Sequence, residues 1–288
     1  MAPDNRFSKW QGLGNDYIIV SPADLDFELT PERAAAICDR HTGVGSDGIL
    51  AWEPSQKADF RLDIINPDGS RAEMCGNGIR MLARFLYTRG HAKSPAFMVD
   101  TDAGIIAPVV NADGTVRVEM GTARLGGDGI VGFAGVRNES EVINRVLDAA
   151  GESYTFTFVS MGNPHCVIET RDLDSLDLAG IGPAIEHHEL FPGRANVEFI
   201  KVLGPAEIAM RVWERGVGET MACGTGACAA AVAAFRTRGI RSPMTVHLPG
   251  GDLIIEVSAE MDVVMTGPAR EIYEGILAAE FVKHIKEL

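Results

Sequence analysis

Two short stretches, MCGNGIR (Met74–Arg80) and ACGTGAC (Ala222–Cys228), each set a cysteine in a Cys-Gly-x-Gly loop ahead of a helix-like segment. The free N–H groups and the dipole of a helix N-terminus favour an anion. A thiol at such an end is expected to have a lowered pKa and to be partly thiolate at neutral pH. Flanking glycines let the backbone and its N–H groups approach a bound group closely. Each loop is therefore expected to supply a reactive sulfur, Cys75 or Cys223, beside a carboxylate-sized anion site. Cys38, Cys166 and Cys228 lie inside helix or strand patterns and read as small buried apolar residues. Five cysteines without a CxxC pair suggest neither a disulfide framework nor a structural zinc site.

The two loops belong to a longer repeat. Cys75 and Cys223 stand 148 positions apart, and so do Asn15 of GLGNDYIIV and Asn163 of SMGNPHCVI. Asn66 and Glu214 share the same shift, each nine residues before its cysteine, as do Ser94-Pro95 and Ser242-Pro243. MGTAR (Met120–Arg124) and TGPAR (Thr266–Arg270) follow 146 apart, and each cysteine loop leads into a segment ending in TRG. A period this long is no solenoid repeat; it reads as two copies of one domain with a thiol at the equivalent place in each.

Two equivalent thiols suit one task in particular. Inverting a carbon stereocentre needs a base on one face and an acid on the other, with the roles exchanged in the reverse direction. A thiolate and a thiol across a shared cleft meet that need, and their titrations would be coupled. Helix N-termini aimed at a carboxylate would hold the charge that develops beside the carbanion. The six lysines (Lys9, Lys57, Lys93, Lys201, Lys283, Lys286) avoid both loops, so no Schiff-base lysine for pyridoxal phosphate is evident. The residues thus point to an epimerase with no cofactor and no metal.

The elements that must position these residues are legible in outline. Strand patterns are DYIIV, GILAWE, DFRLDII, GIIAPVV and TVRVEM in the first half, then YTFTFV, HCVIE, NVEFIKV, EIAMRVWE, DLIIEV and DVVMT in the second. TPERAAAICDR reads as a helix capped by Thr30 with Pro31 in its first turn. SEVINRVLDAAG reads as another, capped by Ser140 and ended by Gly151. The most regular helices follow the cysteines, and the Ala/Val-rich GACAAAVAAFRTRG, apolar on every side, is expected to be buried. The expected fold class is α/β of the α+β type. It comprises two pseudo-symmetric domains, each a curved, mostly antiparallel sheet around a central helix, with the active site in the cleft between them. The expected boundaries are residues 1–125, joined by 271–288, and residues 126–270, with the glycine-rich 124–135 as hinge.

Composition narrows the partners. A chain of 288 residues with 46% hydrophobic and 23% charged residues suits a globular protein with a substantial core. Its net charge of -14 has the wrong sign for nucleic acid or an anionic membrane. The most apolar run, ACAAAVAAF, is too short to span a bilayer, and the N-terminal MAPDNRFSKWQG lacks a signal-peptide pattern. A cytoplasmic location is the expectation.

GLGNDY, RHTGVGSDG, NPDGSRAEMCGNGIR, GNPHCV, ERGVGETMACGTGACA and TGPAR together resemble the diaminopimelate epimerase family, in family order over nearly the whole chain. The resemblance implies cofactor-independent interconversion of LL- and meso-2,6-diaminopimelate, in lysine and peptidoglycan-precursor synthesis, by a cytoplasmic homodimer. It implies that Cys75 and Cys223 are the acid/base pair, assisted by His165 and Glu214. Asn15, Asn66, Asn77, Asn163 and Asn196 match the family's substrate contacts. Gly76 and Asn77, with Gly224 and Thr225, match the backbone donors to the reacting carboxylate. Glu214 matches the anchor of the ammonium, and Arg215 the partner of the distal carboxylate, for which a guanidinium fork is well shaped. Tyr273 matches a dimer-interface tyrosine. Gly48 is a departure, since some members carry a substrate-touching glutamine there. Rival readings are a two-thiol racemase of proline, hydroxyproline or histidine, and a Cys-His hydrolase using one thiol with His165. The proline-type enzymes typically carry histidine where this chain has Asn77, phenazine-type isomerases lack the cysteine pair, and a hydrolase leaves the second loop unexplained.

Overall fold

A computed structural model describes residues 3–126 and 141–288. In chain order the strands and helices begin β1 (Arg6–Gly12), β2 (Asn15–Val20), α1 (Pro31–Cys38), β3 (Ile49–Pro54), β4 (Phe60–Ile65), β5 (Arg71–Ala72), α2 (Gly76–Thr88), β6 (Val99–Thr101), β7 (Gly104–Ile106), β8 (Val109–Val110) and β9 (Val116–Thr122). They continue as β10 (Arg145–Ala149), β11 (Glu152–Ser160), β12 (Pro164–Glu169), α3 (Leu178–Glu186), β13 (Asn196–Gly204), β14 (Glu207–Glu214), β15 (Gly218–Thr220), α4 (Gly224–Arg238), β16 (Met244–Leu248), β17 (Gly251–Val257), β18 (Asp262–Gly267), β19 (Arg270–Ile276) and α5 (Ala279–Lys286). The chain forms two compact units, Met1–Val118 with Gly267–Leu288, and Glu119–Thr266.

In the first unit the sheet runs β19-β1-β2-β3-β4-β6-β7, with β5 on β4. β1/β2, β3/β4 and β6/β7 pair antiparallel, whereas β2/β3 and β4/β6 pair parallel. The parallel pairs are where the chain crosses over through α1 and through α2, as parallel neighbours require. α1 starts as its sequence suggests: Thr30 Oγ1 accepts from the Arg33 N–H and Pro31 occupies the first turn. Phe7, Ile18, Val20, Ile37, Ile49, Val282 and Ile285 form the core beneath α1 and α5.

The second unit repeats this wiring. Its sheet runs from β10 through β11, β12, β13, β14, β16 and β17 to β18, with β15 on β14. β11/β12, β13/β14 and β16/β17 are antiparallel, and β12/β13 and β14/β16 are parallel across α3 and α4. The internal duplication read from the sequence is thus visible as one topology used twice. α4 packs on β11, β12, β13, β14, β16 and β17, so the sheet wraps it. Ala227, Ala229, Ala230, Ala231, Val232 and Ala234 are all fully buried. Their small side chains let the helix lie close to the strands on every side. Gly239, at φ 63°, ends the helix in the left-handed conformation. On the other face Phe156, Phe158, Phe199, Ile185 and Phe191 form a second core against α3.

Two local expectations are revised, and a third falls largely outside the described residues. The stretch SEVINRVLDAAG is not a helix: Ser140 lies outside the described residues, and β10 occupies Arg145–Ala149. Ala149 pairs with Glu152 across Ala150 and Gly151, at φ 52° and 83°. The glycine read as a helix stop is therefore half of a two-residue hairpin turn, and pairing with β11 overrides helix propensity. GIIAPVV is broken into β7 and β8 at Ala107-Pro108, where proline has no N–H for a ladder. Most of the glycine-rich 124–135 stretch lies outside the described residues.

Candidate active site

Each unit builds a thiol site on the same plan. Cys75 is the N-cap of α2 and Cys223 the N-cap of α4, with φ/ψ of -138°/115° and -121°/117°. Both backbones are extended, so both sulfurs turn back over the first turn. Cys75 Sγ accepts from the Gly78 N–H and Cys223 Sγ from the Gly226 N–H, each at 3.3 Å. Such N–H groups at a helix start are the donors a helix cannot satisfy internally.

The side chains around the sulfurs also follow the repeat. In the first unit Asn77 donates from Nδ2 to Asn15 Oδ1 at 3.3 Å; in the second Asn163 donates from Nδ2 to Thr225 Oγ1 at 3.4 Å. The partners correspond through the 148-residue shift. Thr225 Oγ1 lies 3.5 Å from Cys223 Sγ. Arg80, fully buried, donates to Gly76 O at 2.9 Å and Asn77 Oδ1 at 2.8 Å, fixing the first turn of α2. Asp47 Oδ2 accepts from Asn15 Nδ2 at 2.8 Å.

In the second unit His165 lies two residues beyond Asn163, on β12. Its Nε2 is 3.0 Å from Asn163 Oδ1, and its Nδ1 is 2.7 Å from Glu198 Oε1. Asn196 is a strut: Nδ2 donates to Pro164 O at 3.0 Å and Oδ1 accepts from the Arg215 N–H at 3.0 Å. It ties the start of β12 to the Glu214-Arg215 corner, so both ends of its amide are engaged within the protein. Thr220 Oγ1 donates to Glu214 Oε1, and Arg215 donates from Nη1 to Gly193 O at 3.1 Å. Asn163, His165, Asn196, Glu214, Arg215, Cys223, Gly224 and Thr225 therefore converge in the second unit, and Asn15, Cys75, Gly76 and Asn77 in the first. Asn66 is held in its own turn, donating to Ser70 Oγ at 2.9 Å. Tyr273 stands on edge strand β19, 44% exposed, with its ring edge-on to Phe7.

One electrostatic expectation fails. Cys223 is not a thiol lowered by its helix end: burial first, then the carboxylates of Glu214 and Glu198, push it well up. The hydrogen bonds from Thr225 and Gly226 only partly oppose them. At 6% exposure the loss of water outweighs the helix dipole. Cys166 and Cys38 are likewise pushed up by burial, consistent with packing rather than chemistry.

Sequence reasoning passed over two neighbours of the thiols. Tyr17, 5% exposed, directs its hydroxyl at Cys75 Sγ, 3.6 Å away. Glu198, completely buried, stands behind His165. The signal was present: Tyr17 follows Asn15 by two residues and Glu198 follows Asn196 by two, and strand residues two apart share a face. Gly48 explains how Tyr17 fits. A Cβ at position 48 would lie 2.6 Å from Ile65 O and 2.7 Å from Tyr17 Cε1, at φ 154°. The tyrosine ring occupies the ground a larger residue would need.

A family model described as diaminopimelate epimerase matches residues 7–126 and 157–272. A diaminopimelate epimerase of Synechococcus sp. (strain JA-2-3B'a(2-13)) is 48% identical over 285 residues, covering 96% of this chain and 100% of that protein. One from Desulfitobacterium hafniense is 47% identical over 279 residues, covering 93% of this chain and 96% of its own. Among solved structures, a Bacillus anthracis phenazine biosynthesis protein of the PhzF family superimposes with a TM-score of 0.68 at 18% identity, covering 95% of this chain and 98% of that one. A hydroxyproline epimerase from Agrobacterium vitis does so at 0.66 and 14% identity, covering 98% and 96%. These two show a shared fold. The duplicated topology, the two cysteine-capped helices and the near-full-length identity agree, and the chain belongs to the diaminopimelate epimerase family.

Proposed function

We propose that this protein interconverts LL- and meso-2,6-diaminopimelate without a cofactor, by a two-base mechanism, in lysine and peptidoglycan-precursor synthesis. The observation that carries the reading is the repetition of one thiol site, a cysteine N-cap with its third-residue N–H donor, in both units of one chain. One sulfur, as thiolate, removes the α-proton from one face of the substrate carbon. The other, as thiol, returns a proton to the opposite face, and the reverse reaction exchanges their roles. Backbone N–H groups at Gly76-Asn77 and Gly224-Thr225 receive the reacting carboxylate and hold the charge that grows on it. Asn15, Asn66, Asn77, Asn163 and Asn196 line the path of the substrate. His165 and Glu214 assist proton transfer at the thiols, Glu214 anchors the ammonium group, and Arg215 takes the distal carboxylate. The high-lying Cys223 thiol is consistent with the proton-donating partner in the free enzyme.

The working form in this reading is a cytoplasmic homodimer joined at β19. That strand exposes Ile272, Tyr273 and Ile276 on a sheet edge, an arrangement that pairing with a second copy would cover. No helix among the described residues is long and apolar enough to cross a membrane.

The test is incubation of the reduced protein with LL-diaminopimelate in deuterated water, without pyridoxal phosphate. The expected product is meso-diaminopimelate carrying deuterium at the inverted carbon. If proline or histidine racemised while diaminopimelate did not, the two-thiol chemistry would stand and the substrate would fall. No exchange with any of them would sink the whole reading. Cys75→Ala and Cys223→Ala should each abolish inversion, and wild-type turnover by either would refute the two-base mechanism.

A further inference from the structure

The repeat supplies an internal control for one buried group that has no part in the scheme above. Under the 148-residue shift, Tyr17 corresponds to His165, Leu50 to Glu198 and Gly78 to Gly226. Leu50 and Glu198 pack alike against the first turn of their helices. A Cβ on Gly78 would lie 3.0 Å from Leu50 Cδ2, and one on Gly226 would lie 2.8 Å from Glu198 Oε1. The same place in the fold therefore holds an apolar side chain behind a tyrosine and a carboxyl group behind a histidine. A carboxyl group is not needed to fill the space.

Glu198 is fully buried on β13, between β12 and β14. Its Oε1 lies 2.7 Å from His165 Nδ1, and its Oε2 has no hydrogen-bond partner among the described residues. The ionisable groups that act on it are His165, on β12, and Glu214, at the end of β14; it acts in turn on Cys166 and on Cys223, at the start of α4. His165 Nε2 faces Asn163 Oδ1, which can only accept. Both contacts are hydrogen bonds in two arrangements: imidazolium beside carboxylate, or neutral imidazole with its hydrogen on Nε2 beside a protonated carboxyl. The two hold the same number of protons, and in both Nε2 carries hydrogen.

We infer that Glu198 is a positioning residue that keeps hydrogen on His165 Nε2 and so aims a chain of donors at Cys223. The inference rests on the reading of Cys223 as a reacting group. His165 Nε2–H donates to Asn163 Oδ1; Asn163 Nδ2–H donates to Thr225 Oγ1; Thr225, its oxygen so engaged, donates its hydroxyl hydrogen to Cys223 Sγ. The last link runs this way once Cys223 is a thiolate, because the sulfur then has no hydrogen of its own to give. With leucine behind the histidine, Nδ1 is free to take the hydrogen, the Asn163 amide turns over, and Thr225 gives its hydrogen to Asn163 Oδ1 instead of to sulfur.

The experiment needs no diaminopimelate, so its failure is separable from failure of the proposed activity. Glu198→Leu copies the first unit's own packing, and Glu198→Gln can still donate to Nδ1. Alkylation of Cys223 by iodoacetamide at pH 8.5, followed by mass spectrometry of its peptide, reads the donor chain at the sulfur. Loss of one donor to a thiolate is expected to slow it about threefold to tenfold in the leucine variant, with the glutamine variant close to wild type. Glu198 acting simply as an anion, or as packing whose loss opens the site, predicts faster alkylation on its removal, and that result or no change overturns the inference. Nitrogen-15 NMR of histidine-labelled wild-type protein, with His165→Gln for assignment, reads the ring directly. A bare Nε2 on His165 in the wild-type protein would overturn it whatever the variants do.

Discussion

Replacing Gly48 by alanine measures how tightly the first thiol site is built around its tyrosine. Two costs add. A residue with a Cβ at φ 154° lies outside the ordinary regions, at about 1–3 kcal/mol. The Cβ also meets Ile65 O at 2.6 Å and Tyr17 Cε1 at 2.7 Å. Ile65 does not yield readily, being paired with Ile49 across β3 and β4, and Gly48 is itself held, its O accepting from the Ile18 N–H at 3.0 Å; the Tyr17 ring is the part that must shift. Overpacking of this kind adds about 1–3 kcal/mol, for a total of about 2–6 kcal/mol. Gly104→Ala is the control, because its φ is 112° and its Cβ would meet nothing within 4 Å among the described residues. Urea unfolding should therefore show a larger loss for Gly48→Ala than for Gly104→Ala, with the difference reporting the steric part; m-values must match for the comparison to hold. Cys75 alkylation in Gly48→Ala should change as Tyr17 is pushed from the sulfur, and remain unaltered in Gly104→Ala. Equal losses for the two variants would refute the assignment of Gly48 as the space Tyr17 requires.

Asp16→Asn should cost about 3–5 kcal/mol, because Lys9, 5% exposed, would lose its carboxylate partner and stay buried; a urea midpoint within error of wild type would contradict this. Burial alone would raise the Asp16 carboxyl, but hydrogen bonds from Arg40 and Lys9 hold it below its usual 3.8. Its contribution is thus present above that pH and is lost as pH falls through the lowered value, so stability plotted against pH should slope less steeply below about 4 in the variant. Cys223 titrates in the opposite sense: its raised folded value means that stability is lost as pH climbs past the ordinary thiol value of 9.0. Glu214→Gln removes one of the charges holding the thiol up, and should speed Cys223 alkylation at pH 8.5; unchanged labelling would remove Glu214 from that role. Ala230→Leu, at a fully buried position of α4, should destabilise by about 1–3 kcal/mol in thermal or urea unfolding, since strands surround the helix. Sedimentation should give twice the 30.9 kDa chain mass, falling toward the monomer in Tyr273→Asp; a wild-type monomer would end the dimer proposal.

Sequence alone determined what is local or repeated. Thr30-Pro31 specified the start of α1, the Cys-Gly-x-Gly loops the starts of α2 and α4, and the all-apolar alanine run a buried helix. These depend on capping chemistry and side-chain size, which act within a few residues. The constant 148-residue spacing carried the duplication, because a repeat is a property of the string itself. Tertiary structure decided what depends on partners distant in the chain. Arg145–Ala149 became a strand because β11 offered an edge across a two-residue turn. Cys223 rose rather than fell because burial and two carboxylates from β13 and β14, remote in sequence, outweigh one helix end. Tyr17 and Glu198 became neighbours of the thiol sites through parallel pairings, β2 on β3 and β12 on β13, that bring chain segments separated by whole helices side by side. The residues carried the chemistry in their types and intervals, but their protonation and orientation were set by what folding packed against them.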